Sequence, residues 1–481
     1  MKLKNQNLFC EKNFVNGKFK DHKKRIEVLN PANQSKIGSV PNLAKKDLKE
    51  VILEAQNAFY KWRKLSGKER AKILQNWHKL ILENAEDLAL ILTTEQGKPI
   101  TEARGEINYG AQFVEWFAEE AKRSYGDVIP SYKQNQKIIT QLEPVGVVAA
   151  ITPWNFPSAM ITRKAAAAIA AGCCVILKPS ELTPFSALAL AVLANKAGIP
   201  DGVFNVVTGD AQKIGEEFCE NKTIRKISFT GSTKIGKLLN KQCAHDLKKV
   251  SLELGGSAPF IVFSDANLDE AINGLMHAKF RNGGQACTCV NRIFVEEKIH
   301  DQFVKKLILE VKKLKIGNGL ISDTKIGPMI SQNALTKVER LVNEAIESGA
   351  KCEIGGKKDQ KIGFNFFQPT VLTKVNETMQ IAQEEIFGAV AAIQKFRTEE
   401  EVINLANKTE YGLGSYLYTK DNGRIWRISD ALEFGMVAIN ECSFATEVAP
   451  FGGIKHSGMG REGSKIGMQE FMNLKTVHIS F

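Results

Sequence analysis

The spacing of hydrophobic residues divides the chain into distinct regions. Over residues 47–125, apolar side chains recur every three to four positions, which predicts amphipathic helices interrupted at Gly97-Lys98-Pro99. Over residues 145–254, short apolar runs alternate with helical patterns, and a second such stretch runs from about residue 258 to 440. This alternation predicts parallel strands joined by helical crossovers, an α/β fold with two doubly wound layers.

Two further segments have an extended pattern instead of a helical one. They are residues 132–143 and residues 473–481, "NLKTVHISF". We expect both to form strands that pair outside the two α/β layers. The chain contains no tandem repeat and no low-complexity linker.

Composition narrows the class of protein. With 481 residues, 43% of them hydrophobic and 25% charged, the chain has the makeup of a globular protein with two to four domains. The net charge of +12 suggests a nucleic-acid partner, but the Lys and Arg residues are interleaved with Asp and Glu and no nucleic-acid-binding motif is present. We therefore expect no nucleic-acid partner, although the positive charge would favour a small anionic ligand.

The cysteines and the apolar runs bear on the cellular compartment. Nine scattered cysteines without a CxxC pair indicate neither a disulfide framework nor a zinc site, so we expect a reducing compartment and no metal. The N-terminus lacks an apolar signal core, and the longest apolar run, residues 165–177, is shorter than the roughly 20 residues of a bilayer span. These features predict a cytoplasmic protein that does not interact with membranes.

A glycine-containing turn, "TGSTKIGKL", lies at a predicted strand-to-helix junction. Gly231 and Ser232 precede a helix whose N-terminus would favour a phosphate group. The segment nearly matches a P-loop, but Leu238 stands where Mg²⁺ binding needs Ser or Thr. A pyrophosphate site and an ordinary helix start both remain open.

Polar residues follow three of the predicted strands, at the sheet edge where open parallel sheets bind ligands. Lys178 and Glu181 in "ILKPSELTP" suit a ribose or phosphate, or else form a solvated ion pair in a turn. Asn155 in "ITPWNFP" could stabilise an oxyanion, or bond only to its own turn. Glu253 in "LELGG" could act as a general base through water, or be a capping or ion-paired residue.

Two cysteines, Cys287 and Cys289, follow a Gly-Gly pair in "FRNGGQACTCVNR". Most buried cysteines are inert, so both residues are first interpreted as packing residues. The tight loop at Gly283-Gly284 and its polar neighbours favour a reactive thiol. No histidine falls in the glycine-rich segments, so a thiol mechanism would take its base from the carboxylates.

Taken together and in order, the motifs "PWNFP", "LKPSELTP", "FTGSTKIG", "SLELGG", "FRNGGQAC", "EEIFG" and "PFGGIKHSGMGRE" resemble the NAD(P)-dependent aldehyde dehydrogenase superfamily over nearly the whole chain. This resemblance implies a Rossmann-type cofactor domain (1–125 and 144–252) and an α/β catalytic domain (253–441). It also implies a small oligomerisation sheet (126–143 and 467–481) that joins subunits into a homodimer or homotetramer.

The resemblance also implies roles for individual residues. Cys287 matches the nucleophile, Asn155 the oxyanion donor and Glu253 the general base that hydrolyses a thioester. The expected cofactor is NAD, with NADP as the alternative, because Glu181 would repel an added phosphate. The residues expected to bind the cofactor are Thr152, Trp154, Lys178, Ser180, Glu181, Gly231, Ser232, Glu385 and Phe387.

Three stretches, "MITRKAAAAIAAGCCVILKPSELTPFSALALA", "KFRNGGQACTCVNR" and "EVAPFGGIKHSGMGREGSK", look most like the succinate-semialdehyde dehydrogenase branch of that superfamily. There, two arginines, matching Arg163 and Arg281, bind the distant carboxylate of the aldehyde substrate. The serine of that site is replaced by Ala445, for which Ser443 or Thr446 could compensate. General aliphatic, glutarate-semialdehyde and betaine-type aldehyde dehydrogenases therefore remain alternatives.

A second departure from the family pattern, a cysteine pair and two competing classes of protein also follow from the sequence. Ala389 replaces the proline usual after "EEIFG", for which we expect only a local loop effect. The C-x-C spacing suggests Cys289 as a redox partner of Cys287, with a plain packing role as the alternative. A non-catalytic binding protein and a P-loop nucleotidase are the alternatives from other classes.

Overall fold

The computed structural model describes all 481 residues and contains α-helices packed on three main β-sheets. The helical pattern predicted for residues 47–125 is confirmed by four consecutive helices, with the predicted break at Gly97. The α-helices are Lys45–Trp62, Gly67–Glu83, Ala85–Gln96, Ile100–Glu120, Ala159–Ala171, Phe185–Lys196, Ala211–Glu220, Thr233–Ala244, Leu268–Phe280, His300–Val311, Gln332–Glu347, Gln380–Gln383, Glu399–Asn407, Asn422–Ala431 and Ser464–Gln469.

The first main sheet has eight strands, and its five central strands are parallel, as the sequence predicts. Antiparallel strands extend both edges. In spatial order the strands are Lys18–Lys20, Asn13–Val15, Phe204–Val206, Cys174–Lys178, Val147–Ile151, Ile224–Thr230, Lys249–Glu253 and Gly458–Met459.

The second main sheet has seven strands, all parallel except the first pair, and confirms the second α/β layer. In spatial order they are Lys351–Ile354, Thr370–Thr373, Val390–Phe396, Val290–Glu296, Ala258–Val262, Gly414–Tyr418 and Met436–Ile439.

The two segments with an extended pattern form a third, antiparallel sheet. Gln136–Pro144 pairs along its length with Met472–Ser480, and Val128–Ile129 adds a short edge. The remaining strands form two small antiparallel ribbons. Arg25–Leu29 pairs with Lys36–Pro41, and Tyr411–Gly412 pairs with Ile454–Lys455.

The hydrophobic cores follow the sheets. One large cluster packs around the first sheet, whereas separate clusters pack around the second, and none of them joins the two. The helix Ala159–Ala171 is buried along its whole length, because its alanines let it pack closely between neighbouring elements. It ends at Gly172, whose left-handed backbone (φ 97°) terminates the helix. The exact domain boundaries stay a prediction.

None of the helices combines the length and the apolar character that a membrane crossing requires. No group of three or more His, Cys, Asp or Glu side chains is arranged to hold a metal ion.

Candidate active site

The candidate site lies where the two α/β layers meet, at the carboxyl ends of strands of the first sheet. Glu253 is the last residue of its strand. Asn155 lies in the loop between the strand Val147–Ile151 and the helix Ala159–Ala171. Cys287 reaches this edge from the second layer, in the segment between Leu268–Phe280 and Val290–Glu296.

The loop before Cys287 has an unusual backbone. Asn282, Gly283 and Gly284 have positive φ angles of 51°, 61° and 77°. At Gly284 a Cβ atom would lie 2.2 Å from the carbonyl oxygen of Gly388, so no larger residue fits there. This tight path confirms the loop expected from the Gly-Gly pair.

Cys287 lies between two cavities. A larger one, of about 260 Å³, and a smaller one, of about 50 Å³, share Phe156, Met160 and Cys287 in their walls. The larger cavity faces the first sheet, and the smaller one is lined by both Arg163 and Arg281. The half-buried side chain of Cys287 therefore borders both cavities.

The side chain of Asn155 is buried and its direction is fixed. Its Nδ2 atom donates a hydrogen bond to the carbonyl oxygen of Gln285, at 3.0 Å. The main-chain carbonyl oxygen of Asn155 accepts hydrogen bonds from Lys98 Nζ (2.7 Å) and Asn282 Nδ2 (3.1 Å). The bond across to Gln285 shows that the amide does more than stabilise its own turn.

Glu253 is buried, and its Oε2 atom has no hydrogen-bond partner. Burial, and then the nearby Glu462 carboxylate, raise the pKa of Glu253 well above its usual value, although Arg163 and other cations oppose the shift. A carboxylate with an unused oxygen and a raised pKa holds a captured proton more firmly than an exposed carboxylate, which suits a general base.

The thiol of Cys287 is protonated at rest. Burial, and then the charge of Glu253, raise the pKa of Cys287 to about 12, while Arg163 and Arg281 act in the opposite direction. Since the thiolate is the reactive form, the site needs a base or an added positive charge before the sulfur can attack.

Five of the residues expected to bind the cofactor line the larger cavity: Trp154, Gly231, Ser232, Glu385 and Phe387. The rings of Trp154 and Phe387 meet edge to face, with centroids 5.5 Å apart. Burial raises the pKa of Glu385 to about 7, and its Oε1 accepts from the Gly256 N–H at 3.1 Å. Ser232 caps the helix Thr233–Ala244 through a hydrogen bond from the Ile235 N–H.

The other four residues lie outside the walls of this cavity. Lys178 is the last residue of its strand, and its Nζ atom lies 2.7 Å from Glu181 Oε2. The two residues thus form the ion pair that was the alternative to a ribose or phosphate site. Thr152 donates its N–H to the carbonyl of Lys178 at 3.2 Å, so the two residues share one sheet edge. Ser180 accepts a hydrogen bond from the Leu182 N–H within the same turn.

The two arginines of the smaller cavity have different surroundings. Arg163 is only 2% exposed, and its Nη2 atom lies 2.9 Å from Glu462 Oε2. Arg281 forms no salt bridge, and its guanidinium lies 5.2 Å over the ring of Phe156. Ser443 and Ala445 also line this cavity, whereas Thr446 does not.

Cys289 lies close to Cys287 in sequence but belongs to neither cavity wall. Its sulfur is buried and lies 3.3 Å from Lys279 Nζ. Burial raises the pKa of this thiol, and Lys279 opposes the shift. Redox pairing with Cys287 and a plain packing role both stay predictions.

Four residues around the site were not identified from the sequence. Lys98 and Glu106 support the Asn155 loop, Glu462 pairs with Arg163, and Lys337 lines the larger cavity and donates to the carbonyl of Glu385. Glu462 belongs to the quoted motif "PFGGIKHSGMGRE", and Lys98 lies in the segment interpreted as a helix break. The sequence therefore drew attention to the segments that contain Glu462 and Lys98, but it did not indicate that either residue supports the site.

Comparison with known proteins agrees with this geometry. The sequence profile of the aldehyde dehydrogenase family matches residues 19–477. The chain therefore belongs to the aldehyde dehydrogenase family, and is an enzyme of that family rather than a P-loop nucleotidase or a non-catalytic binding protein.

Particular relatives are similar over the full length. The chain is 52% identical over 477 residues to the NADP(+) succinate-semialdehyde dehydrogenase of Escherichia coli, which covers 99% of both chains. It is 51% identical over 482 residues to the glutarate-semialdehyde dehydrogenase of Pseudomonas putida, which covers 100% of both. A crystal structure of an aldehyde dehydrogenase from Brucella melitensis biovar abortus 2308 superimposes with a TM-score of 0.99 at 52% identity, over 100% of this chain and 99% of that one. The predicted α/β aldehyde dehydrogenase fold is thus confirmed.

Proposed function

We propose that this enzyme oxidises an aldehyde that carries a second carboxylate, with succinate semialdehyde as the first candidate, to the corresponding acid. The observation that carries the proposal is the position of Cys287 between a cavity for a cofactor and a cavity lined by two arginines. The relatives named for succinate-semialdehyde and glutarate-semialdehyde support the same substrate class.

The larger cavity suits the nicotinamide half of a dinucleotide. Thr230, which lines this cavity, and Thr152, at the same sheet edge, have buried hydroxyls without a hydrogen-bond partner. The helix Thr233–Ala244 has no acidic residue in its first turn, so its N-terminus suits a pyrophosphate. When bound, the nicotinamide ring supplies an acceptor for the hydride that leaves the substrate carbon. Glu385 and Phe387 would contact the nicotinamide end, Gly231 and Ser232 the pyrophosphate, and Lys178 and Glu181 the adenosine ribose. The remaining proposed cofactor residues are Thr152, Trp154 and Ser180.

We favour NAD over NADP because of Glu181. Burial opposes its ionisation, but the Lys178 ammonium outweighs burial and lowers the pKa of Glu181. The carboxylate is therefore charged at neutral pH and would repel a ribose phosphate, although Lys178 beside it would attract one.

Cys287 and Asn155 carry the first chemical step in this proposal. The Cys287 thiol first releases its proton to water, the resulting thiolate attacks the aldehyde carbon, and the carbonyl oxygen becomes an oxyanion. Asn155 Nδ2 has two hydrogens and uses one for Gln285, so the second is available to the oxyanion together with the Cys287 N–H. Loss of hydride from the same carbon leaves a thioester on Cys287.

Glu253 carries the second step. Its free Oε2 atom takes a proton from a water molecule, and the resulting hydroxide attacks the thioester. The acid leaves, and the thiol of Cys287 is regenerated. Because the carboxyl group is buried, its raised pKa makes it a stronger base than an exposed glutamate.

The smaller cavity would hold the distant carboxylate of the substrate. Arg281 has a guanidinium without an ionic partner, and Arg163, which lines the same cavity, adds positive charge. Ser443 lines the same cavity as Ala445 and could supply the missing hydroxyl. Glutarate semialdehyde is the second candidate, since Ala445 leaves space where the branch has a serine side chain.

We also propose the predicted cofactor and catalytic domains, a cytoplasmic location, and a homodimer or homotetramer formed through the third sheet. Val128 and Leu474, on its edge strands, are 77% and 65% exposed. Unpaired strand edges with exposed apolar side chains are favourable sites for association. Sedimentation of wild type and of Leu474→Lys would test this, and a monomeric wild type would refute it.

The enzymatic test measures the absorbance of the reduced cofactor. Purified protein is given succinate semialdehyde, glutarate semialdehyde or propanal, each with NAD or NADP, and Cys287→Ala is the control. We expect the highest kcat/KM with an ω-carboxy aldehyde and no turnover by the variant. Equal turnover of propanal would keep the chemistry but refute the substrate class.

A further inference from the structure

A buried lysine lies directly behind the loop that carries Asn155. Lys98 is 2% exposed, and its Nζ atom donates to Glu106 Oε2 at 2.6 Å and to the Asn155 carbonyl at 2.7 Å. The ammonium also lies 3.8 Å from the centroid of the Phe156 ring. One cation thus contacts two consecutive residues of the site.

Glu106 fixes the ammonium in place. Its other oxygen, Oε1, accepts from the N–H groups of Ser158 (2.9 Å) and Ala159 (3.2 Å), at the start of the helix Ala159–Ala171. Ser158 does not cap that helix with its own side chain, so the Glu106 carboxylate takes this role. A single carboxylate therefore connects Lys98 to the downstream end of the loop.

Burying the Lys98–Glu106 ion pair costs free energy unless its charged atoms are fully hydrogen-bonded. Burial lowers the pKa of Lys98, and Glu106 opposes the shift. Removing one partner of a buried ion pair leaves an uncompensated charge, so the geometry of the pair is strongly maintained. Such a rigid support suits a donor that must not reorganise during the reaction.

The bond from Lys98 reaches the main chain of Asn155, whereas the side-chain amide points to the Cys287 loop. Asn282 supplies the other bond to the same carbonyl, at 3.1 Å. Without Lys98 the peptide would keep only this bond and could rotate, which would move the amide away from the reacting carbon.

We propose that Lys98, anchored by Glu106, is a positioning residue that holds the Asn155 peptide and thereby aims its amide at the oxyanion. The inference rests on the proposed role of Asn155 and deepens it. Lys98 itself touches neither cavity and takes no part in proton transfer.

The experiment compares Lys98→Met, Asn155→Ala and the double variant. Removing one oxyanion donor typically lowers kcat by about 10²–10³-fold, and small displacements at a site by up to about 10²-fold. We expect Lys98→Met to lower kcat by about 10- to 100-fold with an unchanged KM for the cofactor. In the Asn155→Ala background, Lys98→Met should cause no further loss of kcat, because its effect passes through that amide.

Lys248→Met is the matched control. Lys248 is also buried and donates to two carbonyls, of Asn221 (2.7 Å) and Ile224 (3.0 Å), but it lines neither cavity. We expect it to lower the melting temperature and to leave kcat within about twofold of wild type. A kcat loss as large as that of Lys98→Met would show a general effect of burying methionine and overturn the proposal.

Glu106→Gln provides a second variant if Lys98→Met does not fold. The glutamine keeps an oxygen for the two backbone N–H groups but removes the charge that anchors Lys98. We expect the same loss of kcat, again absent in the Asn155→Ala background. Additive losses would overturn the positioning role, whereas an unchanged kcat in Asn155→Ala alone would instead refute the proposed role of Asn155.

Discussion

Arg163 and Glu462 form a buried ion pair beside the reactive thiol, with 2.9 Å between Nη2 and Oε2. Lys164, the next residue on the same helix, contacts the other oxygen of that carboxylate. Burial opposes the ionisation of Glu462, but Lys164 and Arg163 outweigh it and lower its pKa, so the carboxylate stays charged. The charge of Arg163 is therefore shared between this partner, the thiol and any substrate, whereas Arg281 has no such partner.

The first prediction concerns substrate recognition by Arg281. A hydrogen bond to a charged group contributes about 1.5–3 kcal/mol, which corresponds to a factor of about 10 to 150. We expect Arg281→Ala to raise KM for succinate semialdehyde by that factor and to leave KM for propanal nearly unchanged. Steady-state kinetics with both aldehydes measures this, and Arg281→Lys, which keeps the charge but not the planar fork, should be intermediate. An equal effect on both aldehydes would contradict it.

The second prediction concerns pH. Burial and the charge of Glu253 raise the pKa of Cys287, and Arg163 is the largest effect in the opposite direction. Arg163→Met removes that positive charge, so the thiol pKa rises further and a higher pH is needed to form the thiolate. The rate of alkylation by iodoacetamide should therefore fall at every pH between 7 and 10, and its rising limb should move to higher pH.

Alkylation of Arg281→Ala is the comparison for the pH experiment. Arg281 also lowers the thiol pKa, but it is a smaller influence than Arg163. We expect a smaller alkaline shift than in Arg163→Met, with melting curves to confirm that both variants are folded. Identical profiles for wild type and Arg163→Met would show that Arg163 does not control the thiol.

The third prediction concerns the cofactor. Glu181→Ser removes the carboxylate that would face a ribose phosphate and releases Lys178 from its 2.7 Å ion pair. At the effective dielectric of a protein surface, removing one such repulsion at 4 Å is worth up to about 4 kcal/mol. We expect the ratio of kcat/KM for NADP to that for NAD to rise at least about tenfold. Lys178→Met is the control and should weaken NADP more than NAD; an unchanged ratio in Glu181→Ser would place Glu181 away from the ribose.

The sequence predicted those parts of the fold that depend on local periodicity. The central strands from Val147–Ile151 to Lys249–Glu253 and their helices follow from apolar runs that alternate with 3.6-residue patterns. The edge strands Lys18–Lys20 and Gly458–Met459 were missed, because segments this short carry no measurable period and form only by pairing with an existing sheet.

The site, like the fold, has parts that local sequence patterns predict and parts that they do not. Cys287, Asn155 and Glu253 lie in quoted motifs, and the structure brings them to one sheet edge. The partners of Lys98 and Arg163 could not be predicted, because Lys98 meets Asn155 across 57 residues and Arg163 meets a carboxylate near the other end of the chain. Single-sequence patterns describe neighbours along the chain, whereas these pairs arise from the packing of distant elements.

The last prediction concerns Cys289, for which redox pairing and packing were both open. Its thiol is 8% exposed, lies beside Lys279 and lines neither cavity, and a disulfide to a residue two positions away would be strained. We therefore expect the packing role: peroxide oxidises Cys287 to a sulfenic acid, and dithiothreitol restores Cys289→Ala to the same extent as wild type. Recovery of aldehyde oxidation after peroxide treatment measures this, with Cys352→Ala as a control for the loss of a remote thiol. If wild type and Cys352→Ala recover while Cys289→Ala does not, the disulfide protects Cys287 and the packing role is wrong.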